Sequence, residues 1–312
     1  MSSSRRVSVV VPCYNAERYI GATLDAVLAQ AGAELEVIVV DDGSRDGSAA
    51  LVERAYPQVK LIRRANAGVA AARNTGIDAA TGDWVAFCDA DDIWLPGKLA
   101  AQFAAMQAVP GCRMSYTAWH VWPSAEPLPQ AALLAELQAA AGDEARWRGA
   151  TGWLYPELLL DCVVWTSTVL MQRSLLAEIG GFPTNLRIGE DYDLWLRASR
   201  VTRIERVARP FALYRQHPQS ITRSAPSANY KGRVIQSAID RWGYAGPDGR
   251  QAEEHTVRAM LAKTWSDYAA AQIDAGQRAA SRTSAREALR LVGTHVPAWK
   301  LLLKSWLPMR GT

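Results

Sequence analysis

The chain has 312 residues, 49% of them hydrophobic, which is enough to bury the core of one large domain or of a domain with an extension. Its 35 Lys and Arg residues exceed its 31 Asp and Glu residues only slightly, so the net charge of +4 does not suggest a nucleic-acid-binding protein. No apolar stretch approaches the roughly 18 residues of a membrane span or resembles a secretory signal, so we expect a cytoplasmic protein.

The four cysteines are scattered along the chain and form no C-x-x-C pair: Cys13, Cys88, Cys112 and Cys162. Such spacing is typical of reduced, buried thiols in an intracellular protein. We therefore expect neither a disulfide framework nor a structural zinc site.

The first hundred residues alternate between predicted strands and predicted helices. Short runs rich in valine and isoleucine predict strands that are buried on both faces, and the amphipathic stretches between them predict helices. The predicted strands are 7–11, 36–40, 59–63 and 84–88, and the predicted helices are 17–30, about 46–55, and 66–80. This order predicts a mostly parallel sheet whose ligand crevice lies at the carboxyl ends of the strands.

The rest of the chain is less regular and then becomes helical. The predicted elements are helices at 99–106, around Leu175 and from Glu190, strands at 114–121 and 163–171, and an inserted loop and helix at 123–149. From residue 224 onward the composition favours helices throughout. We therefore predict an α/β domain at residues 1–223 and a helical C-terminal extension at residues 224–312.

Two clusters of carboxylates follow predicted strands. Asp41 and Asp42 follow the second strand, and Asp89, Asp91 and Asp92 follow the fourth. Because these strand ends meet at one edge of the sheet, we expect both clusters there. Alternate strand residues share a side, so Asp89 and Asp91 could hold Mg²⁺ or Mn²⁺ together with ligand phosphates. Taken alone, the first cluster is also explained as a turn former and helix cap, and the second as an ordinary solvated acidic turn.

Three further charged residues are candidates for the same edge. Arg73 lies on the helix predicted at 66–80, and its guanidinium could neutralise phosphate charge; a surface arginine is the alternative. Glu190 and Asp191 begin a later predicted helix. The helix macrodipole favours acidic residues there, so a purely structural role is the alternative for this pair.

Four sequence motifs contain most of these candidate residues. They are VSVVVPCYN at 7–15, VVDDGSRDG at 39–47, ARNTG at 72–76 and DADD at 89–92. In this order and at this spacing they resemble the inverting family 2 glycosyltransferases, over about residues 5–220 and most strongly before residue 100. The resemblance implies a GT-A fold, which is a mostly parallel sheet flanked by helices that binds a nucleotide-sugar.

The resemblance also implies roles for individual residues. Those that match nucleotide-contacting positions are Pro12, Tyr14, Asn15, Asp41, Arg73 and Asp89. Asp89 and Asp91 match the Asp-x-Asp metal motif, with Asp91 as the more direct ligand of Mn²⁺ or Mg²⁺. Asp92 and Glu190 are expected on the donor-sugar side. Asp191 matches the catalytic base, and His217, in a short segment similar to one in the family, is a further candidate metal ligand with a structural role as its alternative.

The implied function is metal-dependent, inverting transfer of one sugar from a nucleoside-diphosphate donor to an acceptor hydroxyl. The cation would neutralise the leaving diphosphate, and Asp191 would take the proton of the hydroxyl. Resemblance favours UDP as the nucleotide, a glycan or lipid-linked acceptor, and a place in surface-polysaccharide or glycolipid assembly. The chain lacks the Q-x-x-R-W motif of processive synthases, so we expect single additions.

Two other functions are consistent with parts of this pattern. A nucleotide-sugar-binding protein without catalysis would retain the same motifs. A sugar nucleotidyltransferase would need a Gly-rich phosphate loop after the first strand, where this chain has none.

The end of the chain carries a separate amphipathic signal at residues 296–310. A helix there would place Trp299, Leu302, Leu303 and Trp306 on one face, with Lys300, Lys304 and Arg310 off it. Such a helix is typical of peripheral contact, here with the inner face of the cell membrane. Packing on the catalytic domain or on another subunit is the alternative.

Overall fold

The structure is a computed structural model that describes residues 5–140, 149–218 and 227–306. The chain divides into two compact units: Met1–Leu154 with Cys162–Pro218, and Tyr155–Asp161 with Gln219–Thr312. The strands are β1 (Arg6–Cys13), β2 (Glu34–Asp41), β3 (Lys60–Arg63), β4 (Trp84–Phe87), β5 (Ile93–Trp94), β6 (Met114–Trp122), β7 (Leu170–Gln172) and β8 (Ile204–Arg215). The predicted boundary at residues 223/224 lies outside the described residues.

The helices of the first unit are α1 (Ile20–Leu28), α2 (Ser48–Ala55), α3 (Val69–Ala79), α4 (Lys98–Gln107), α5 (Ala131–Ala139), α7 (Arg173–Ile179) and α8 (Glu190–Ala198). Those of the second unit are α6 (Tyr155–Leu158), α9 (Tyr230–Trp242), α10 (Glu254–Asp274), α11 (Arg278–Leu291) and α12 (Val296–Trp306). No helix among the described residues is both long enough and apolar enough to cross a bilayer.

The strands form one sheet in the order β3-β2-β1-β4-β7-β6-β8-β5. The half made by β3, β2, β1 and β4 is parallel throughout, and β6 also pairs parallel with β8. The pairs of β7 with β4 and β6, and of β5 with β8, are antiparallel. The prediction of a mostly parallel α/β sheet flanked by helices is confirmed, and its four N-terminal strands are β1 to β4.

The sheet differs in part from the sequence prediction. The strand predicted at 163–171 is wrong over most of its length, because β7 is confined to Leu170–Gln172 and a short 3-10 helix occupies Thr166–Thr168. Strand β8 was not predicted, since charged residues and Pro210 interrupt its apolar alternation. Its pairing with β6 shifts register next to Pro210, as expected for a proline within a sheet.

Helix α3 packs so closely on β1 that position 76 has room only for glycine. A Cβ atom at Gly76 would lie 2.3 Å from Cγ1 of Val10, which is far inside van der Waals contact. At Gly21, in α1, a Cβ would meet only Tyr56 Oη at 3.4 Å and a leucine methyl group at 3.9 Å. The two glycines therefore differ in packing although both lie within helices.

We expect Gly76→Ala to lower the free energy of unfolding by about 1–3 kcal/mol, because overpacking forces the helix away from the sheet. Gly21→Ala should instead be neutral or stabilising, by up to about 1 kcal/mol, since alanine is the better helix former. Chemical denaturation of both variants measures the difference. Equal stabilisation by the two substitutions would show that the α3–β1 contact is not tight.

The second unit has a core of small residues. Alanines of α10, α11 and α12 form its buried cluster: Ala262, Ala269, Ala285, Ala288 and Ala298. Small side chains let the three helices approach one another closely. At the start of α9, Asn229 Oδ1 caps the helix by accepting a hydrogen bond from the Gly232 amide at 3.0 Å.

Candidate active site

The acidic clusters lie where the sequence predicts, at the carboxyl ends of parallel strands. Asp41 is the last residue of β2, paired in register with Cys13 at the end of β1. The segment of Asp89, Asp91 and Asp92 follows β4, which is the other neighbour of β1. One edge of the sheet therefore carries both clusters, as expected for a ligand crevice in a parallel sheet.

Arg73 links three parts of the site. Its side chain is 4% exposed, and its two terminal nitrogens donate to Asp89 Oδ1 and Glu190 Oε1, each at 2.7 Å. The ring of Phe182 lies 5.2 Å from the guanidinium carbon. A buried arginine thus joins helix α3, the acidic turn after β4 and the start of α8.

Negative charge around Arg73 exceeds what one guanidinium balances. Burial, followed by the charge of Asp191, raises the pKa of Glu190 to about 7 despite the ion pair with Arg73. Burial also raises the pKa of Asp89, and the charges of Asp91 and Asp191 add to the increase. Both carboxyl groups therefore ionise less readily than usual, and additional positive charge at this edge would favour their ionised forms.

Asp91 and His217 meet on the other side of the acidic turn. Asp91 Oδ2 lies 3.0 Å from His217 Nε2, and the imidazole packs on the ring of Tyr19 with centroids 4.8 Å apart. Among the described residues no group of three or more such side chains forms a complete metal cage. A nucleotide-bound Mg²⁺ or Mn²⁺ takes much of its shell from phosphates and water, so a carboxylate and an imidazole fit such an ion.

Asp191 lies in the first turn of α8, two residues after Gly189, whose φ is +85°. Its Oδ2 accepts a hydrogen bond from Thr166 Oγ1 at 2.9 Å, and the residue is only partly buried. A fixed and partly exposed carboxylate next to Glu190 can reach a bound hydroxyl. A carboxylate of this kind can accept a proton, and the role of Asp191 as the catalytic base stays a prediction.

Asp92 is held entirely by the protein. It is 1% exposed, and its carboxylate accepts from Ser167 Oγ at 2.5 Å, Arg215 N at 3.0 Å and Trp165 Nε1 at 3.2 Å. Burial raises its pKa well above the usual range. These contacts fix the conformation of the acidic turn, and the role of Asp92 toward the donor sugar stays a prediction.

The predicted nucleotide loop is tied to the end of β2. Pro12 lies in β1, and Asn15 just beyond it adopts a left-handed conformation with φ of +51°. The Asn15 amide donates to Ser44 Oγ at 3.0 Å, and the Ser44 amide donates to Asp41 Oδ1 at 3.2 Å. Tyr14 is about half exposed and can therefore contact a ligand. The nucleotide roles of these residues stay predictions.

Sequence reasoning missed several residues that build this site: Trp165, Thr166, Ser167 and Arg215. The first three precede β7 in a segment interpreted as strand, although its run of hydroxyl residues was the available signal. Trp165 also packs with Tyr214, with ring centroids 4.0 Å apart. Side chains with hydroxyl and aromatic groups therefore lie between the acidic turn and Asp191.

Arg215 joins the acidic turn to the chain that follows β6. Its Nε donates to the Asp91 carbonyl at 2.6 Å, and its terminal nitrogens donate to the carbonyls of Glu126 and Pro127. The guanidinium carbon also lies 4.2 Å from the Trp122 ring centroid. A fully buried cation thus holds residues 126–127 against the turn. Residues 141–148, within the predicted insertion, lie outside the described residues.

A buried lysine lies behind the acidic turn. Lys98 Nζ donates to Gln102 Oε1 at 2.9 Å and lies 3.9 Å from the Trp94 ring centroid. Burial lowers the pKa of Lys98 from 10.5 to about 7. Because this pKa is depressed on folding, its contribution to stability is fully present above pH 10.5 and is lost as the pH falls through about 7.

We therefore expect the free energy of unfolding of the wild-type protein to rise between pH 7 and pH 10 relative to Lys98→Met. The difference in slope should not exceed about 1.4 kcal/mol per pH unit. Lys263→Met, at an exposed lysine, is the matched control and should keep the wild-type slope. Equal slopes for wild type and Lys98→Met would mean that the ammonium group stays charged on the Trp94 ring.

The chain is similar to known proteins. The family model "Glycosyl transferase family 2" matches residues 8–117. The UDP-Glc:alpha-D-GlcNAc-diphosphoundecaprenol beta-1,3-glucosyltransferase WfgD of Escherichia coli is 32% identical over 192 residues, which are 61% of this chain and 68% of that protein. The chain belongs to the family 2 glycosyltransferases. The amylovoran biosynthesis glycosyltransferase AmsB of Erwinia amylovora is 30% identical to this family member over 216 residues, 66% of this chain and 68% of that protein.

Other relatives of this glycosyltransferase family member match a shorter stretch. Two that are 44% and 42% identical align over 98 and 95 residues, and the matched part spans only 30% and 28% of their length. Staphylococcus aureus TarS 1-349, solved in complex with UDP-GlcNAc, superimposes with a TM-score of 0.63 at 17% identity, covering 96% of this chain and 90% of that one. The structural match confirms the predicted GT-A fold.

Proposed function

We propose that this protein is a metal-dependent, inverting glycosyltransferase that moves one sugar from a nucleoside-diphosphate donor to an acceptor hydroxyl. The observation that carries the proposal is the proximity of three functional parts. Asp89 lies close to all three. Its carboxylate pairs with Arg73, which also pairs with Glu190, and the charges of Asp91 and Asp191 both act on it. Asp91 in turn contacts His217. A nucleotide-sugar transferase needs each part: a cation site, a positively charged phosphate contact and a base.

The reaction would proceed as a single displacement. The acceptor oxygen attacks the anomeric carbon from the side opposite the diphosphate, the bond from that carbon to the diphosphate oxygen breaks, and the hydroxyl proton passes to Asp191. The hydrogen bond from Thr166 orients the Asp191 carboxylate for this transfer. A divalent cation bound by Asp91 and His217 would neutralise charge on the diphosphate as it leaves.

The identity of the substrates rests on relatives. WfgD is named for a UDP-glucose donor and a diphosphoundecaprenol-linked acceptor, and AmsB for amylovoran biosynthesis. These names support UDP as the nucleotide, a glycan or lipid-linked acceptor, and a role in surface-polysaccharide or glycolipid assembly. The imidazole of His217 favours Mn²⁺ over Mg²⁺, because imidazole suits transition metals better than Mg²⁺.

Nucleotide binding provides the test. Thermal unfolding should be measured with UDP, GDP, dTDP and ADP, each with and without Mn²⁺. A ligand at about 100 times its dissociation constant stabilises the native state by roughly 2.7 kcal/mol, which should raise the Tm by several degrees. We expect UDP to do so only with Mn²⁺.

Two variants make the result specific. Asp91→Ala should abolish the Mn²⁺-dependent shift, whereas Asp267→Ala, at an exposed aspartate, should leave it unchanged. Absence of a shift with every nucleotide would overturn the proposal. A shift that persists in Asp91→Ala would overturn the assigned metal site.

A further inference from the structure

Helix α12 presents a row of large apolar side chains to solvent. Their exposed fractions are 58% for Val296, 52% for Trp299, 69% for Leu303 and 69% for Trp306. Spacings of three, four and three residues place them along one side of the helix, and we call them the apolar stripe. They are half of the large hydrophobic residues that are exposed in the described part of the chain.

The opposite side of α12 is used within the second unit. It packs against α10 and α11 through Ala298, Leu301, Leu302 and Ser305. The predicted face of Trp299, Leu302, Leu303 and Trp306 is therefore divided: Leu302 contributes to the packed side, and the other three are exposed together with Val296. Arg310, predicted off this face, lies outside the described residues.

Basic side chains flank the apolar stripe. Lys300 and Lys304 are exposed and lie beside the apolar stripe on the surface of α12. The Arg282 guanidinium of α11 lies 4.4 Å from the Trp306 ring centroid. Residues 278–306 carry six Lys and Arg against one glutamate. This pair of helices thus has more positive charge than the net +4 of the whole chain.

We propose that the apolar stripe binds the surface of an anionic lipid bilayer, with α12 lying in the plane of the headgroups. Apolar residues that include two tryptophans, flanked by lysines, match the chemistry of that interface. Negatively charged lipids would attract the basic residues beside the stripe. A second copy of the chain fits less well, since a symmetric contact would bring the same basic side chains together.

This inference is independent of the proposed transferase activity, because none of the stripe residues belongs to the candidate active site. It is tested with the full chain and sedimented vesicles of phosphatidylcholine alone or mixed with phosphatidylglycerol. We expect binding to the mixed vesicles, at least ten times weaker binding to phosphatidylcholine alone, and weaker binding as salt is added.

The decisive variant is Trp299→Glu/Leu303→Glu, which should reduce binding to the mixed vesicles at least tenfold. Leu128→Glu is the matched control, because Leu128 is 64% exposed and lies in the other unit. Unchanged thermal unfolding and an unchanged UDP response would show that each variant is folded. The control should bind vesicles like the wild type.

Three outcomes would overturn the proposal. The wild-type protein could fail to sediment with the mixed vesicles, or Leu128→Glu could lose binding as much as the stripe variant does. Light scattering could also show a dimer without lipid that Trp299→Glu/Leu303→Glu dissociates, which would assign the stripe to a second copy of the chain.

Discussion

Replacing Asp191 with asparagine should lower the rate of sugar transfer by about 100- to 10,000-fold, the usual contribution of a general base. Asparagine can still accept the hydrogen bond from Thr166, so the start of α8 should keep its geometry. It cannot take the proton of the acceptor hydroxyl. The Mn²⁺-dependent stabilisation by UDP should therefore persist, which separates loss of chemistry from loss of binding.

The measurement is the release of UDP from UDP-sugars in the presence of lipid-linked and free glycan acceptors. Asp193→Asn is the matched control, because Asp193 lies in the same first turn and pairs with Arg197 instead. The control should retain most of the activity. Transfer at an unchanged rate by Asp191→Asn would rule out Asp191 as the base. If the protein binds the nucleotide-sugar without catalysis, the wild-type protein itself would show no acceptor-dependent release of UDP.

Replacing Arg73 with methionine should destabilise the fold by roughly 3–5 kcal/mol, because it leaves two carboxylates without their shared buried cation. A fall of about 10 °C in Tm would correspond to that loss. The deficit should shrink as the pH is lowered, since protonation removes the unpaired charge of Asp89 and Glu190. Their raised pKa values place this recovery above the usual carboxylate range.

Thermal unfolding across pH tests this expectation. Arg63→Met removes an exposed ion pair with Glu53 and should change stability by less than about 1 kcal/mol. Adding Glu190→Gln to Arg73→Met should restore part of the loss, because it removes one of the unpaired charges. If Arg73→Met resembles Arg63→Met at neutral pH, then Arg73 does not balance these carboxylates.

The sequence predicted those features that are encoded locally. The valine run of β1 and the acidic residues after β2 and β4 indicate a parallel sheet with a polar edge, because burial and strand ends follow from short-range pattern. Strand β8 was not predicted, because Pro210 and its charged neighbours break the apolar alternation. Its pairing with β6, which the sequence pattern does not reveal, stabilises the strand.

Contacts between distant residues were beyond sequence reasoning. Arg73 and Glu190 are 117 positions apart, and the segment of Thr166 shows no periodicity that reveals its bond to Asp191. The face of α12 was predicted only in part, since helical spacing alone could not decide whether Leu302 packs inward. Tertiary packing determines each of these contacts.

The hydrogen bonds from Arg215 to residues 126–127 attach the start of the following segment to the acidic turn. Main-chain carbonyls accept these bonds, so the attachment does not depend on which side chains the segment carries. Length and sequence after Pro127 can then vary while the acidic turn keeps its shape. The fold thereby separates the anchored acidic turn from a neighbouring stretch that can diversify.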